Sequence, residues 1–286
     1  MKVQRIGTYK TGFKYFNKNT EIIAEKQLEF IKSLKIPPAY DKVTIINGKK
    51  IIAYGYDSKN RKQVIYHPKF ILSQNNIKFQ KIKQSIKYFS RLKRKIKKDI
   101  NRDDIDKICA IIITLIIDCG FRIGNKKYEI DNNSYGLTTL KKKHIFIENK
   151  FIKIDFIGKK NVRNVAICKN KEIYNFFFDR LKKIGEDEYI FKHNDKTITS
   201  NDVNKYLYNF YKKFNLKITT KDLRTLNANT LFMKFFNTNI NSKNPIKKSI
   251  EETALKLHNT YAVCKKNYID PNIIIFAENQ LTKNKN

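Results

Sequence analysis

The 286-residue sequence predicts an α+β protein. A small β-rich N-terminal domain precedes a larger, mainly α-helical domain that carries a small three-stranded antiparallel sheet. Three observations predict this. Short apolar runs separated by turn residues fill positions 42–66, helix-period apolar residues recur from position 82, and further short strand-like runs lie between 144 and 167.

Along the chain, residues 21–34 place apolar side chains at helical spacing, and Pro37 with Pro38 ends any helix there. Val43-Thr44-Ile45-Ile46 and Ile51-Ile52-Ala53-Tyr54 flank Asn47-Gly48, a pair that tolerates positive φ and suits a hairpin turn. Asp57-Ser58-Lys59-Asn60 is the next turn, and Gln63-Val64-Ile65-Tyr66 the next strand. Residues 1–72 are thus expected as one domain and 77–286 as another, with Ser73-Gln74-Asn75-Asn76 as linker. Ile82, Ile86, Phe89, Leu92, Ile96 and Ile100 recur near every 3.6 residues. Opposite them lie Lys83, Lys87, Arg91, Arg94 and Lys98, so one amphipathic helix with a basic, solvated face is expected. Residues 105–117 read as a buried helix closed by Asp118-Cys119-Gly120, well short of the ~20 apolar residues that span a bilayer. Strands follow over 144–147, 152–156 and 162–167, with Gly158-Lys159-Lys160-Asn161 turning the last two. Helices are expected near 174–181, 202–212, 221–236 and 249–258, and residues 281–286 as a frayed tail.

Charge narrows the function. Sixty Lys and Arg against 26 Asp and Glu leave a net charge of +34, while 41% hydrophobic and 13% aromatic residues still provide a core. Such an excess repels itself on folding, and a polyanion relieves it. Duplex DNA, with one phosphate per ~1.7 Å of axis, is the natural partner. Cys109, Cys119, Cys168 and Cys264 are scattered without CxxC spacing, which argues against a disulfide framework or a zinc site and fits a reducing compartment. The first residues lack the apolar stretch of a signal peptide, so a soluble, intracellular protein is expected. No GxxxxGK[ST] loop is present, which disfavours an ATP-driven motor. Asp103-Asp104 and Glu251-Glu252 sit beside expected helix starts, where carboxylates complement the dipole, and neither pair makes a convincing two-metal centre.

Phosphodiester chemistry without a metal needs a nucleophile, cations on the non-bridging oxygens and an acid for the leaving alkoxide. Tyrosine, arginine and lysine meet these needs, but sequence order alone does not select the residues. Five segments do so by resemblance. Cys119-Gly120-Phe121-Arg122-Ile123-Gly124-Asn125 resembles the first arginine motif of the type IB DNA topoisomerases, and Phe156-Ile157-Gly158-Lys159 their hairpin lysine. Lys221-Asp222-Leu223-Arg224-Thr225 matches their KDLRT motif. Leu257-His258-Asn259-Thr260 with Cys264-Lys265-Lys266-Asn267-Tyr268-Ile269-Asp270-Pro271 matches their histidine and tyrosine segment. Residues 55–63, ending in Tyr66-His67-Pro68, resemble their DNA-clamp strand. The five run in family order and suggest the compact enzymes of poxviruses, other large DNA viruses and some bacteria.

The resemblance implies a catalytic domain of the tyrosine recombinase/topoisomerase IB type. Tyr268 would attack the scissile phosphate to give a 3′-phosphotyrosyl strand, and Lys159 would protonate the departing 5′ oxygen. Arg122, Arg224 and His258 would hold the non-bridging oxygens. Strand rotation and religation would then relax supercoils in double-stranded DNA, with no nucleotide, cofactor or metal, by a monomer. Gln63, Tyr66, Arg61, Lys62 and Tyr128 would contact DNA. If the protein is viral, a virion or a cytoplasmic virus factory is the expected place; otherwise the nucleoid or nucleus. Asn60 stands where the family usually has Gly, Val64 replaces a DNA-contacting aromatic, and Tyr261 sits where Pro is common. A tyrosine site-specific recombinase is the alternative. Those enzymes usually carry His three residues before the second arginine, where this chain has Lys221.

Overall fold

The computed structural model describes residues 2–283 and divides into two compact units, Met1–Lys78 and Phe79–Asn286. In the first, β1 (Val3–Thr8), β2 (Gly12–Asn17), β3 (Thr20–Glu21), β4 (Asp41–Ile45), β5 (Ile51–Tyr56) and β6 (Lys62–Tyr66) form one antiparallel sheet in the order β3-β2-β1-β4-β5-β6. Helix α1 (Glu25–Ser33) contributes Ile31 to a core with Val3, Val43, Ile45, Ile52 and Ala53. The expected 42–66 meander is present, with Asn47 (φ 45°) and Asn60 (φ 55°) in the left-handed region at its turns. Asn60 thus adopts the left-handed conformation that Asn tolerates better than most residues. The meander is only half of the sheet: β1 joins it through Val3 opposite Ile45.

The expected linker is helical. Helix α2 (Pro68–Ile86) runs through Ser73–Asn76 without a break, and a two-residue turn at Lys87 and Tyr88 separates it from α3 (Phe89–Asp99). The single helix expected over 82–100 is thus two. Tyr88 at the turn stacks on Phe214, with ring centroids 3.7 Å apart, a contact that apolar periodicity does not register.

The second unit is built on α4 (Ile105–Cys119), where Ile111, Ile112, Ile113, Leu115 and Ile116 are completely buried. Asp104 caps its start by accepting from the backbone N–H of Asp106 at 3.0 Å. Next come α5 (Lys126–Asn132) and the sheet β7 (Ile145–Glu148), β8 (Phe151–Gly158) and β9 (Val162–Cys168), antiparallel in that order as expected. Helix α6 (Lys171–Leu181), the two-residue strands β10 (Lys192–His193) and β11 (Lys196–Thr197), and α7 (Ser200–Tyr211) complete a core around α4. Helix α8 (Thr220–Asn239) leads to α9 (Pro245–Lys256), α10 (Tyr261–Asn267) and α11 (Pro271–Lys283). Their core is separate and holds Phe232, Phe236, Ile250, Leu257 and Cys264. Glu251 and Glu252 lie in the body of α9, not at its start, and Asn239 donates to Glu252 at 3.1 Å. Leu281–Lys283, expected to fray, are the last turn of α11; residues 284–286 lie outside the described residues.

Helix α8 straddles both cores. Leu223 and Leu226 belong to the first, and Ala228, Phe232 and Phe236 to the second. Its polar residues between them, Arg224, Thr225, Asn227 and Asn229, are therefore buried along the seam.

Gly120 ends α4 in the left-handed conformation (φ 70°), and a Cβ there would lie 2.0 Å from the Lys256 carbonyl oxygen on α9. Gly120→Ala should cost about 1–2 kcal/mol from the backbone alone and more from the collision. At about 2–4 °C per kcal/mol, calorimetry should show Tm falling by more than ~4 °C; an unchanged Tm would contradict this close approach.

Candidate active site

The site begins where α4 and α9 end. A helix C-terminus leaves carbonyls without intrahelical donors and carries partial negative charge. Arg224, reaching from the first turns of α8 and only 4% exposed, donates through Nη1 to the carbonyl of Gly120 and through Nη2 to that of Leu257 at 3.1 Å. Burial lowers its pKa from 12.5 to about 10, so the guanidinium stays charged at neutral pH. Its Nε is buried with no hydrogen-bond partner, and its charge lies 5.6 Å from the centre of the Tyr268 ring.

Arg122 enters from the loop after Gly120. Its Nη2 donates to Oδ1 of Asn259 at 2.6 Å. Among the described residues, neither Arg122 nor Arg224 is paired with a carboxylate. Tyr268 closes the group at the C-cap of α10, where its N–H donates to Cys264 at 2.9 Å. Burial alone would raise the phenol pKa. The charges of Arg224 and Arg122, with hydrogen bonding from Arg224 and Asn259, outweigh it, and the net shift is downward from 10.

Two residues that sequence reasoning did not single out hold this arrangement. Asn229, 1% exposed, donates to the Tyr268 carbonyl at 2.9 Å and accepts from the Asp270 N–H at 2.8 Å, tying both sides of the tyrosine to α8. Asn259 sits between Arg122 and the phenol, and its amide nitrogen is buried without a well-formed hydrogen bond. His258, the neighbour expected in that place, is engaged with the end of α4 and lies near both arginines. Its ring stacks on Phe121 with centroids 5.1 Å apart, and Nε2 lies 2.9 Å from the Cys119 carbonyl oxygen. Burial, with the nearby arginines, pushes its pKa down. His258 takes φ 51° just past α9, and this left-handed step follows the helix end and precedes Asn259. The quoted motif contained Asn259, but nothing in the sequence told which of two adjacent side chains would face the tyrosine.

Lys159 stands apart. It is exposed at the tip of the β8–β9 hairpin, where Lys160 (φ 61°) and Asn161 (φ 59°) make the turn. The hairpin is seated at its base, since Phe156 packs edge-on against Phe121 at 5.0 Å, one residue before Arg122. Tyr128 is 56% exposed on α5, beside Glu129, which accepts from Tyr189 at 2.8 Å and pairs with Lys141 at 3.1 Å.

In the N-terminal unit Gln63 does not point freely outward. It donates to Asp57 at 2.9 Å, and Arg61 pairs with the same carboxylate at 2.8 Å. The Arg61 hydrogen bonds, chiefly, hold the Asp57 pKa at about 2. Lys62 lies over the Tyr54 ring at 4.2 Å, and Tyr66 is 40% exposed, tilted against Phe70 at 5.5 Å. Among the described residues no group of three His, Cys, Asp or Glu could hold a metal ion, and no helix is long and apolar enough to cross a membrane.

The family model for the catalytic core of eukaryotic DNA topoisomerase I matches residues 59–270. The DNA topoisomerase 1B of Acanthamoeba polyphaga mimivirus is 30% identical over 279 residues, covering 89% of this chain and 81% of that one. The DNA topoisomerase 1 of rabbit fibroma virus is 28% identical over 285 residues (93% and 87%), and the vaccinia virus DNA topoisomerase 1B 26% over 274 (90% and 82%). Among solved structures, XerH site-specific recombinase bound to a palindromic difH substrate aligns at a TM-score of 0.45 and 15% identity. It covers 72% of this chain and 51% of that one, a likeness too loose to bear on the activity. Family matches spanning most of the chain, and relatives carrying one activity, decide between the two readings of the motifs: the chain belongs to the type IB DNA topoisomerases, of the kind found in large DNA viruses.

Proposed function

We propose that Tyr268 is the nucleophile with which this chain cuts one strand of duplex DNA, lets it rotate and reseals it. The observation that carries this reading is the convergence of two carboxylate-free arginines on a phenol whose pKa they depress. A phosphodiester placed there supplies the missing negative charge. Attack by the Tyr268 oxygen forms a P–O bond to the 3′-phosphate and breaks the P–O5′ bond, while the phenol proton leaves to water. Arg224, through Nε and its remaining hydrogens, and Arg122 stabilise the extra charge on the non-bridging oxygens. The Asn259 amide nitrogen, buried without a well-formed hydrogen bond, takes the donor role that the resemblance assigned to His258. Lys159 gives its proton to the 5′ oxygen when the hairpin meets the duplex, and religation reverses each step. A monomer with no nucleotide cofactor, working inside the cell, suffices. Arg61, Lys62, Gln63, Tyr66 and Tyr128 serve DNA contact; for Gln63 and Arg61 this means exchanging Asp57 for DNA.

Purified protein with negatively supercoiled plasmid, EDTA and no ATP should yield relaxed topoisomers, and Tyr268→Phe should bind DNA yet form no covalent adduct. An adduct of undiminished yield in that variant would reject the nucleophile.

Asn259→Ala should slow single-turnover cleavage by about tenfold or more, and His258→Ala by less. Because the phenol pKa is depressed by its donors, removing one raises it. The inflection in the cleavage pH profile should therefore move to higher pH in Asn259→Ala and stay in place in His258→Ala. The opposite ranking would return the role to the histidine.

Lys159→Ala should cleave slowly on ordinary DNA and regain its rate on a substrate with a 5′-thiolate leaving group, which needs no proton. Rescue of Lys160→Ala instead would move the acid by one residue.

A further inference from the structure

Asp222 lies two residues before Arg224, and its Oδ2 completes the capping box at the start of α8, whose N-cap is Thr219. It accepts from the Thr219 N–H at 3.0 Å and from the Thr219 hydroxyl at 2.8 Å. The same oxygen meets Nζ of Lys81, on α2, at 2.8 Å, with the two side chains 32% and 12% exposed. Lys81 is therefore not one more solvated cation on a basic surface. It neutralises a buried carboxylate at the turn that launches the catalytic arginine, and so ties two helices together there. The seat of α2 is firm: Phe79, Ile82 and Ser85 beside Lys81 are buried, and Ile82 belongs to the core around α4. Helix α2 itself begins at Pro68, in the N-terminal unit, and is the continuous segment through which the chain passes into the second.

From this geometry we infer that Lys81 is a positioning residue for cleavage, acting through Asp222 on the first turn of α8 and hence on the placement of Arg224. An exposed ion pair contributes little, but this one is partly buried, and its partner's cap stands one helical step from the chemistry. A small displacement of a catalytic group costs far more in rate than in stability. Lys81, held by Asp222, contributes rate rather than affinity. The inference rests on the proposed role of Arg224.

The test is single-turnover cleavage at saturating DNA with the full chain, measured beside DNA affinity, its salt dependence and Tm. Lys81→Ala should slow cleavage about fivefold to tenfold, with DNA affinity changed less than about twofold and an unchanged salt slope. Lys81→Arg, which can keep the pair, should restore most of the rate. Asp222→Asn should show the same loss, and combining it with Lys81→Ala should add little, because both remove one interaction. Full-rate cleavage in Lys81→Ala with weakened, less salt-dependent binding would make Lys81 a phosphate contact and overturn the inference, as would additive losses in the double variant. The wild-type adduct is the reference in every assay. Its absence would refute the nucleophile reading, and this inference with it, whereas parity between wild type and Lys81→Ala refutes only the inference.

Discussion

The site depends on a buried cation, Arg224, that no carboxylate among the described residues neutralises. Taking a guanidinium out of water is costly unless oriented dipoles or an opposite charge replace the solvent. Arg224 meets that requirement with the carbonyl of Gly120 at the end of α4 and that of Leu257 at the end of α9. Two helix C-termini thus converge on one side chain, which bonds them together and is held in place by them. Gly120 permits the convergence because any side chain there would strike the Lys256 backbone. These dipoles offset the burial of the charge but do not cancel it, so the pocket stays positive and suits an incoming phosphodiester.

This arrangement explains why α8 is polar over so much of its buried surface. The helix runs between two apolar cores, and the polar groups at the seam are each spent on a backbone. Arg224 serves two helix ends, Asn227 donates to the Ile117 carbonyl at 2.8 Å, and Asn229 brackets Tyr268. Tyr268 and Arg224 are thereby fixed to one rigid element, the placement that preorganised chemistry needs. Lys159 is mounted differently: it is carried on a hairpin whose base is packed through Phe156 on Phe121 and whose tip is exposed.

Several elements were legible in the sequence because their signals are local. The apolar run of α4, the Asn47 turn and the β8–β9 hairpin need no distant partner to be recognised. Misreadings occurred where a distant contact decides. Apolar spacing continued smoothly across Lys87 and Tyr88, yet the helix stops there and Tyr88 stacks on Phe214. Polar Ser73–Asn76 read as a linker, yet α2 passes straight through. Strand β1 exposes most of its residues and β2 buries none completely, and they reach the core through Val3 and Tyr15, so the apolar signal of these strands is weak.

The sequence by itself determined the chemistry available to this protein: a tyrosine, two arginines and a hairpin lysine in the order of one enzyme family, on a chain with an excess of 34 positive charges. Residue type and order along the chain are enough for that, because the chemistry of a phenol or a guanidinium belongs to the side chain. Tertiary structure alone decided which side chains face one another. It set His258 against the Cys119 carbonyl and Asn259 against Arg122, because packing brings the end of α4 and the loop after it, more than 130 positions away in sequence, onto these adjacent residues. It also brought Gly120, 104 positions earlier in the chain, onto Arg224, since only packing of α4 against α8 places that carbonyl within reach of the guanidinium.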